Sequence, residues 1–279
     1  MREIELDLIV KAVKDSVIKI NYHLDPTLVD LIKQAKSKEA NKTAVEILDD
    51  ILLNQDIANK GDVPLCQDTG VVVVYLEIGR DVHLNGDIYE AINRGVREGY
   101  HEGYLRKSMV NHPFNRINTT DNTPAIIHTT IVEGSNIKMK IAAKGGGSEN
   151  MSLVKMLTPA DGIEGVKKLV LDTIFHAGGK PCPPIIVGIG IGGNLEKSAL
   201  LAKESLLRDL VDHSEDEIIR KLEEDLYTEI NKLGVGPMGV GGDTTCLAVK
   251  INYYPMHIAS LPVAINIQCH SARHTEVVL

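Results

Sequence analysis

Tryptophan is absent and phenylalanine occurs only twice in 279 residues, which argues against the aromatic platforms on which single-stranded nucleic acid stacks. A basic excess is missing too. Lys and Arg total 30 against 38 Asp and Glu, a net charge of −8 spread along the chain, which argues against a nucleic-acid footprint or a basic membrane surface. No stretch reaches the roughly 20 apolar residues needed to span a bilayer. The opening MREIELDLIVKAVKDSV alternates charged and apolar residues and lacks the uninterrupted apolar core of a signal peptide. The expected location is the cytoplasm, where thiols stay reduced. Cys66, Cys182, Cys246 and Cys269 are therefore not read as two disulfides. Nor is there a CxxC pair to support a zinc ribbon or finger, an internal repeat or a low-complexity tract.

What is present has an ordinary globular balance, 43% hydrophobic and 24% charged, with length enough to bury a sizeable core. Residues 1 to 60 show helical periodicity, with Ile9, Val10, Val13, Val17 and Ile18 at three- and four-residue spacing. Two further helical runs follow, and Asp25 before Pro26 suits a helix start. The texture changes at Gly61. GDVPLCQDTG is turn-rich, and VVVVYLEIG is a β-branched strand. DIYEAINRGVREGYHEGYL reads as a helix, and PAIIHTTIV and NIKMKIAAK around EGSN suggest a hairpin. The rest alternates helices (GIEGVKKLVLDTIFHAGG, LEKSALLAKESLLRDL, SEDEIIRKLEEDLYTEINKL) with strands (IIVGIGIGG, TTCLAVKINYY, LPVAINIQ). The expectation is one mixed α/β domain over residues 1–279, with a helical region to residue 60 and an α/β body of mixed or antiparallel strands over 61–279.

Gly188, Gly190 and Gly193 spell GxGxxG, but the acidic strand end expected about 20 residues on in a dinucleotide fold is replaced by charged helix. A glycine-rich strand-to-helix turn is the better reading. The cysteines divide differently. Cys246 lies inside the strand-like TTCLAVKI and suits a buried structural role. Cys66 in PLCQDTG, Cys182 in KPCPPI and Cys269 in IQCHSARH lie at the ends of apolar runs, beside Gly, Pro or polar residues. They are either structural thiols or a three-thiolate metal site. Three thiolates on an iron–sulfur cubane, which ordinarily takes four, would leave one iron open as a Lewis acid.

Groups suited to an anionic substrate lie nearby in sequence. Gln67 and Asp68 follow Cys66 directly, and Arg106 carries a fork that matches a carboxylate. Lys144 with Gly145, Gly146 and Gly147 has the composition of a backbone anion nest. Each has a plain alternative: Arg106 as a surface charge, KGGGS as a loose loop, His257 as a satisfied core histidine.

Together the segments PLCQDTG, YLRKS, NTTDNTPA, KGGGSEN, KPCPPIIVGIGIGG, LGVGPMGVGGDTT and HIASLPVAINIQCHSARH resemble the class I, iron–sulfur-dependent fumarate hydratases and the related L-tartrate dehydratases. The resemblance runs from about residue 61 to the C-terminus. It implies a [4Fe–4S] cluster on Cys66, Cys182 and Cys269, with one iron not bound by cysteine. It also implies substrate contacts from Gln67, Arg106 and Gly146, and active-site roles for Asp68 and His257. Single-chain members continue into a further domain that supplies more basic residues and a catalytic Thr. This chain stops ten residues past Cys269, so it resembles the α subunit of a two-subunit form, completed by a separate β subunit. The implied reaction is reversible hydration of the dicarboxylate fumarate to L-malate, a step of the tricarboxylic acid cycle. The alternatives are an L-tartrate dehydratase α subunit and a non-catalytic iron–sulfur sensor or scaffold.

Overall fold

The protein, described by a computed structural model over residues 1–61 and 63–279, is mixed α/β. Asp62, within the turn-rich GDVPLCQDTG segment, lies outside the described residues. In chain order the elements are β1 (Arg2–Glu3), α1 (Leu6–Tyr22), α2 (Pro26–Lys38), α3 (Lys42–Asn59), β2 (Val71–Gly79), β3 (Val82–His83), α4 (Ile88–Glu102), β4 (Ile126–Val132) and β5 (Ile137–Lys144). There follow α5 (Gly146–Glu149), β6 (Leu153–Leu157), α6 (Gly162–Ala177), β7 (Ile185–Gly192), α7 (Leu195–Ser205), α8 (Glu217–Asn231), β8 (Cys246–Tyr254), β9 (Leu261–Gln268) and β10 (His274–Val278). The helical N-terminal region is as expected, apart from the two residues of β1, which pair in parallel with β3. Asp25 caps α2 by accepting the Thr27 N–H at 2.7 Å, with Pro26 in the first turn. Among the described residues no helix is long and apolar enough to cross a membrane.

The chain forms two compact units, one of residues 1–24, 54–146 and 273–279, the other of residues 25–53 and 147–272. In the first, a four-stranded sheet runs in the order β10-β5-β2-β4. The strands β4 and β5 do not form the expected hairpin. β2 lies between them, parallel to β4 and antiparallel to β5. The run VVVV buries Val72, Val73 and Val74, which suits a central strand, while the largely exposed β4 takes the edge. α1 and α4 supply the rest of this core through Ile9, Val13, Val17, Ile92, Val96 and Tyr100. They approach closely because Gly95 and Gly99 face α1, where any Cβ would run into Val13 or Val17.

The second unit holds a sheet in the order β6-β9-β7-β8. On one face Ile185, Val187 and Ile189 of β7 join Val166, Val170 and Ile174 of α6 and Leu222, Leu226 and Ile230 of α8. On the other face α7 lies so close that a Cβ on Gly188 or Gly190 would strike the carbonyls of Ala202 or Ser198. Gly188 and Gly190 therefore lie inside the strand and serve helix packing, whereas the sequence suggested a strand-to-helix turn; of the three, only Gly193 falls between β7 and α7.

Candidate active site

In the first unit the site is built around the loop between α3 and β2. Buried Leu65 anchors it, with its N–H donating to the Asn21 carbonyl at 2.8 Å and its carbonyl accepting from Asn54 at 2.9 Å. At the other end the buried Tyr100 hydroxyl donates to the carbonyls of Thr69 (2.6 Å) and Gly70 (3.1 Å), and Asn122 Nδ2 donates to Gly70 at 3.1 Å. Burial pushes the Tyr100 phenol well up, so it stays a donor throughout the physiological range. Gly70 has φ +79°, and a Cβ there would stand 2.8 Å from the Lys144 backbone nitrogen; only glycine lets this loop meet the end of β5.

Between these anchors lie Cys66, Gln67 and Asp68. Cys66 is half-buried, and the Asp68 N–H points to its Sγ at 3.4 Å. The Asp68 carboxylate accepts the Gly70 N–H at 3.1 Å on one oxygen and the Gly146 N–H at 2.8 Å on the other. The glycine loop thus presents a backbone donor, the Gly146 N–H, to an anion, and that anion is Asp68. Arg106 Nη2 stands 3.9 Å from Asp68 Oδ1 with 56% of its side chain exposed, while Thr69 Oγ1 donates to the Arg106 carbonyl at 2.5 Å. An exposed guanidinium has fork positions free for a second carboxylate. Gln67 is exposed.

The second unit carries Cys182, Cys269 and His257. Cys182 is half-buried and has φ +57°, a backbone state that a non-glycine residue adopts only when its surroundings impose it. Those surroundings are visible. The Cys182 carbonyl accepts the His270 N–H at 3.3 Å and lies 2.9 Å from His270 Nδ1, and the Pro183 carbonyl accepts the Met238 N–H at 2.7 Å. Cys269, also half-buried, has Gln268 Nε2 at 3.5 Å from its Sγ. His257 lies apart from both cysteines in hydrogen bonding. It sits in an exposed turn, where its Nδ1 accepts the Ala259 N–H at 3.1 Å, which leaves the proton on Nε2. A satisfied core histidine it is not.

Cys246 differs from the other three. It is fully buried, its thiol donates to the Ala248 carbonyl at 3.1 Å, and burial pushes it up to about 12. A thiol held protonated is a poor metal ligand. Among the described residues no group of three or more His, Cys, Asp or Glu converges as a ligand set for a single ion. That arrangement is not what a cubane requires, since each of its cysteines binds a different iron. The donor chemistry of Cys66, Cys182 and Cys269 fits such a group: three accessible thiols, two of them with an N–H directed at sulfur. Sequence reasoning did not find Asn21, Tyr100 and Asn122, which hold the Cys66 loop; Asn122 lies inside the NTTDNTPA segment, but its burial leaves no local signature.

A profile of the family described as Fumarate hydratase (Fumerase) matches residues 10–278. The chain belongs to this family. Among its relatives, a protein of Methanocaldococcus jannaschii provisionally named L(+)-tartrate dehydratase subunit alpha is 43% identical over 274 residues, covering 96% of this chain and 94% of its own length. The L(+)-tartrate dehydratase subunit alpha of Escherichia coli strain K12 is 28% identical over 258 residues, covering 91% of this chain and 85% of its own. Fumarate hydratases are hydro-lyases, and the carboxylate-bearing loop, the exposed Arg106 and the three accessible thiols all lie within the matched residues.

Proposed function

We propose that this chain is the α subunit of a two-subunit, [4Fe–4S]-dependent hydro-lyase that interconverts fumarate and L-malate. The observation that carries the reading is Asp68, fixed by the Gly146 and Gly70 N–H groups beside the exposed Arg106 and two residues from Cys66. Cys66, Cys182 and Cys269 would hold the cluster; when bound it would supply an open iron acting as Lewis acid on the substrate hydroxyl. Arg106 takes a substrate carboxylate by its free fork, which neutralises that group and makes the adjacent C–H easier to deprotonate. Asp68, rigid on its two backbone donors, orients the ligand without reorganising. Gln67 adds amide donors at the same loop, while the Gly146 N–H, already given to Asp68, acts by fixing that carboxylate. His257 presents Nε2–H outward and serves proton handling. The "subunit alpha" names of two relatives support a separate β subunit, which would supply further basic residues for the second carboxylate.

A second reading is favoured by those same names: L(+)-tartrate as substrate. L-malate and L(+)-tartrate differ by one hydroxyl, and a hydrogen-bonding pocket for that hydroxyl discriminates strongly. Anaerobic co-expression of the chain with its β subunit, followed by assays of fumarate hydration and L(+)-tartrate dehydration, decides between them. Preferred turnover of fumarate supports the first reading; preferred turnover of tartrate replaces it with the second. A complex with a full cluster and neither activity would point to a sensor or scaffold.

A further inference from the structure

Arg273 is 3% exposed, follows Cys269 by four residues, and has no part in the reading above. Its Nη1 donates to Asn21 Oδ1 at 2.8 Å, while its Nε is buried with no hydrogen-bond partner. Among the described residues no carboxylate stands within ion-pair distance of its guanidinium. Burying a cation without a counter-ion is unfavourable, so such a group persists where its field meets a negative charge near by. The nearest candidate is close. A Cβ built on Gly145 would stand 3.5 Å from Arg273 Nη2 and 3.1 Å from Asp68 Oδ2. The space left by the missing Cβ of Gly145 is thus bordered by both the buried guanidinium and the carboxylate, and its neighbour Gly146 donates to that same oxygen. Asp68 has Arg106 beside Oδ1, and Arg273 faces the same space as Oδ2. Two guanidiniums against one carboxylate leave an unbalanced positive charge at the loop.

We propose that Arg273 is a positioning residue for the anion site. Across the space left by Gly145 it holds Asp68 against the Gly146 N–H, and its buried charge biases the site towards a dicarboxylate dianion over a monocarboxylate. Buried charge is poorly screened by salt, so the bias acts across a distance at which a surface cation would not. Asn21 is the lever that tests this without deleting the arginine. Asn21→Asp sets a carboxylate against Nη1 and cancels the field, at the loss of the Asn21 amide donor that serves the Val17 carbonyl and the Tyr100 hydroxyl.

The inference rests on the reading of this loop as a carboxylate site, and the experiment separates the two. Wild type, Arg273→Met, Arg273→Lys and Asn21→Asp are prepared as the loaded complex with the β subunit. KM and kcat are measured for the preferred dicarboxylate, and binding of succinate, a non-reacting dicarboxylate, is measured by calorimetry. Arg273→Met and Asn21→Asp are expected to raise both KM and the succinate Kd by about tenfold, with a smaller fall in kcat and most of the loss restored in Arg273→Lys. Succinate and KM values within twofold of wild type in a folded Asn21→Asp complex overturn the inference, as does a loss confined to kcat. If Arg273→Met fails to fold, Arg273→Lys and Asn21→Asp carry the test alone. Succinate binding without turnover in wild type overturns the reaction but leaves the role of Arg273 to be decided by the same titrations; no binding in wild type overturns both.

Discussion

Asp68 accepts one N–H from its own turn and one from a loop 78 residues away, and this fixes a charge that the neighbouring Arg106 shares with solvent. Two residue-scale consequences can be measured. Arg106→Ala removes a charge-assisted fork and is expected to lower kcat/KM by about a hundredfold or more, with iron content unchanged. Iron loss in that variant would mean that Arg106 shapes the cluster site instead. Gly70→Ala places a Cβ at positive φ and 2.8 Å from the Lys144 nitrogen, and is expected to cost about 2 kcal/mol or more of stability, read as a shift in urea midpoint. The polar residues of the site were visible in the sequence because they stand out beside Gly, Pro and apolar runs. Which partner each one meets was not. The glycine nest looked open to a ligand, and the carboxylate that fills it comes from a segment no local pattern links to it. Arg273 and Tyr100 were missed for a similar reason, since a polar residue's burial is set by the packing of distant elements.

At the scale of elements, the helices were legible because an apolar stripe of period 3.6 is a local signal. Strand identity was also legible, but strand pairing was not. The sequence places β4 and β5 four residues apart and so suggests that they pair; the buried valines of β2 instead claim the centre of the sheet. The glycines of β7 carried a local motif whose cause is non-local, namely the approach of α7. Gly190→Val would force α7 off the strand, since its Cβ has no room beside the Ser198 carbonyl. It is expected to destabilise the second unit by about 3 kcal/mol or more, to be checked as loss of soluble protein or a lowered denaturation midpoint. An unchanged midpoint would mean that α7 can shift without penalty.

For the whole molecule, anaerobic reconstitution with iron and sulfide is expected to give about four irons per chain, lost in Cys66→Ser, Cys182→Ser and Cys269→Ser and kept in Cys246→Ser. Retention of a full cluster in any of the first three would remove that residue from the ligand set. Stability should also depend on pH. Burial alone would raise the Asp212 carboxyl, but hydrogen bonds from Arg208 and Lys250 more than offset it and hold it below the usual carboxylate value. The hydrogen bonds from Lys221 and Lys167 lower Asp225 likewise. A carboxyl depressed on folding contributes its stability in full above its unfolded value of about 3.9, and loses it as pH falls through the folded value. The unfolding midpoint is therefore expected to stay level above about pH 5 and to fall below about pH 4. Asp212→Asn, measured across the same range, should show a shallower acid limb.

The order of segments in the two units has a consequence for synthesis. Residues 25–53 and 147–272 make up the second unit, while the first needs residues 1–24, 54–146 and then 273–279, whose strand β10 pairs with β5. A ribosome therefore delivers every residue of the second unit before it delivers the strand that borders β5. The first unit begins first and finishes last, with the Cys66 loop translated in its middle. For that interval the β5 edge is unpaired and exposed to wrong partners, so a nascent chain stalled between residues 146 and 273 should recruit chaperones more strongly than one stalled just after β10 has emerged.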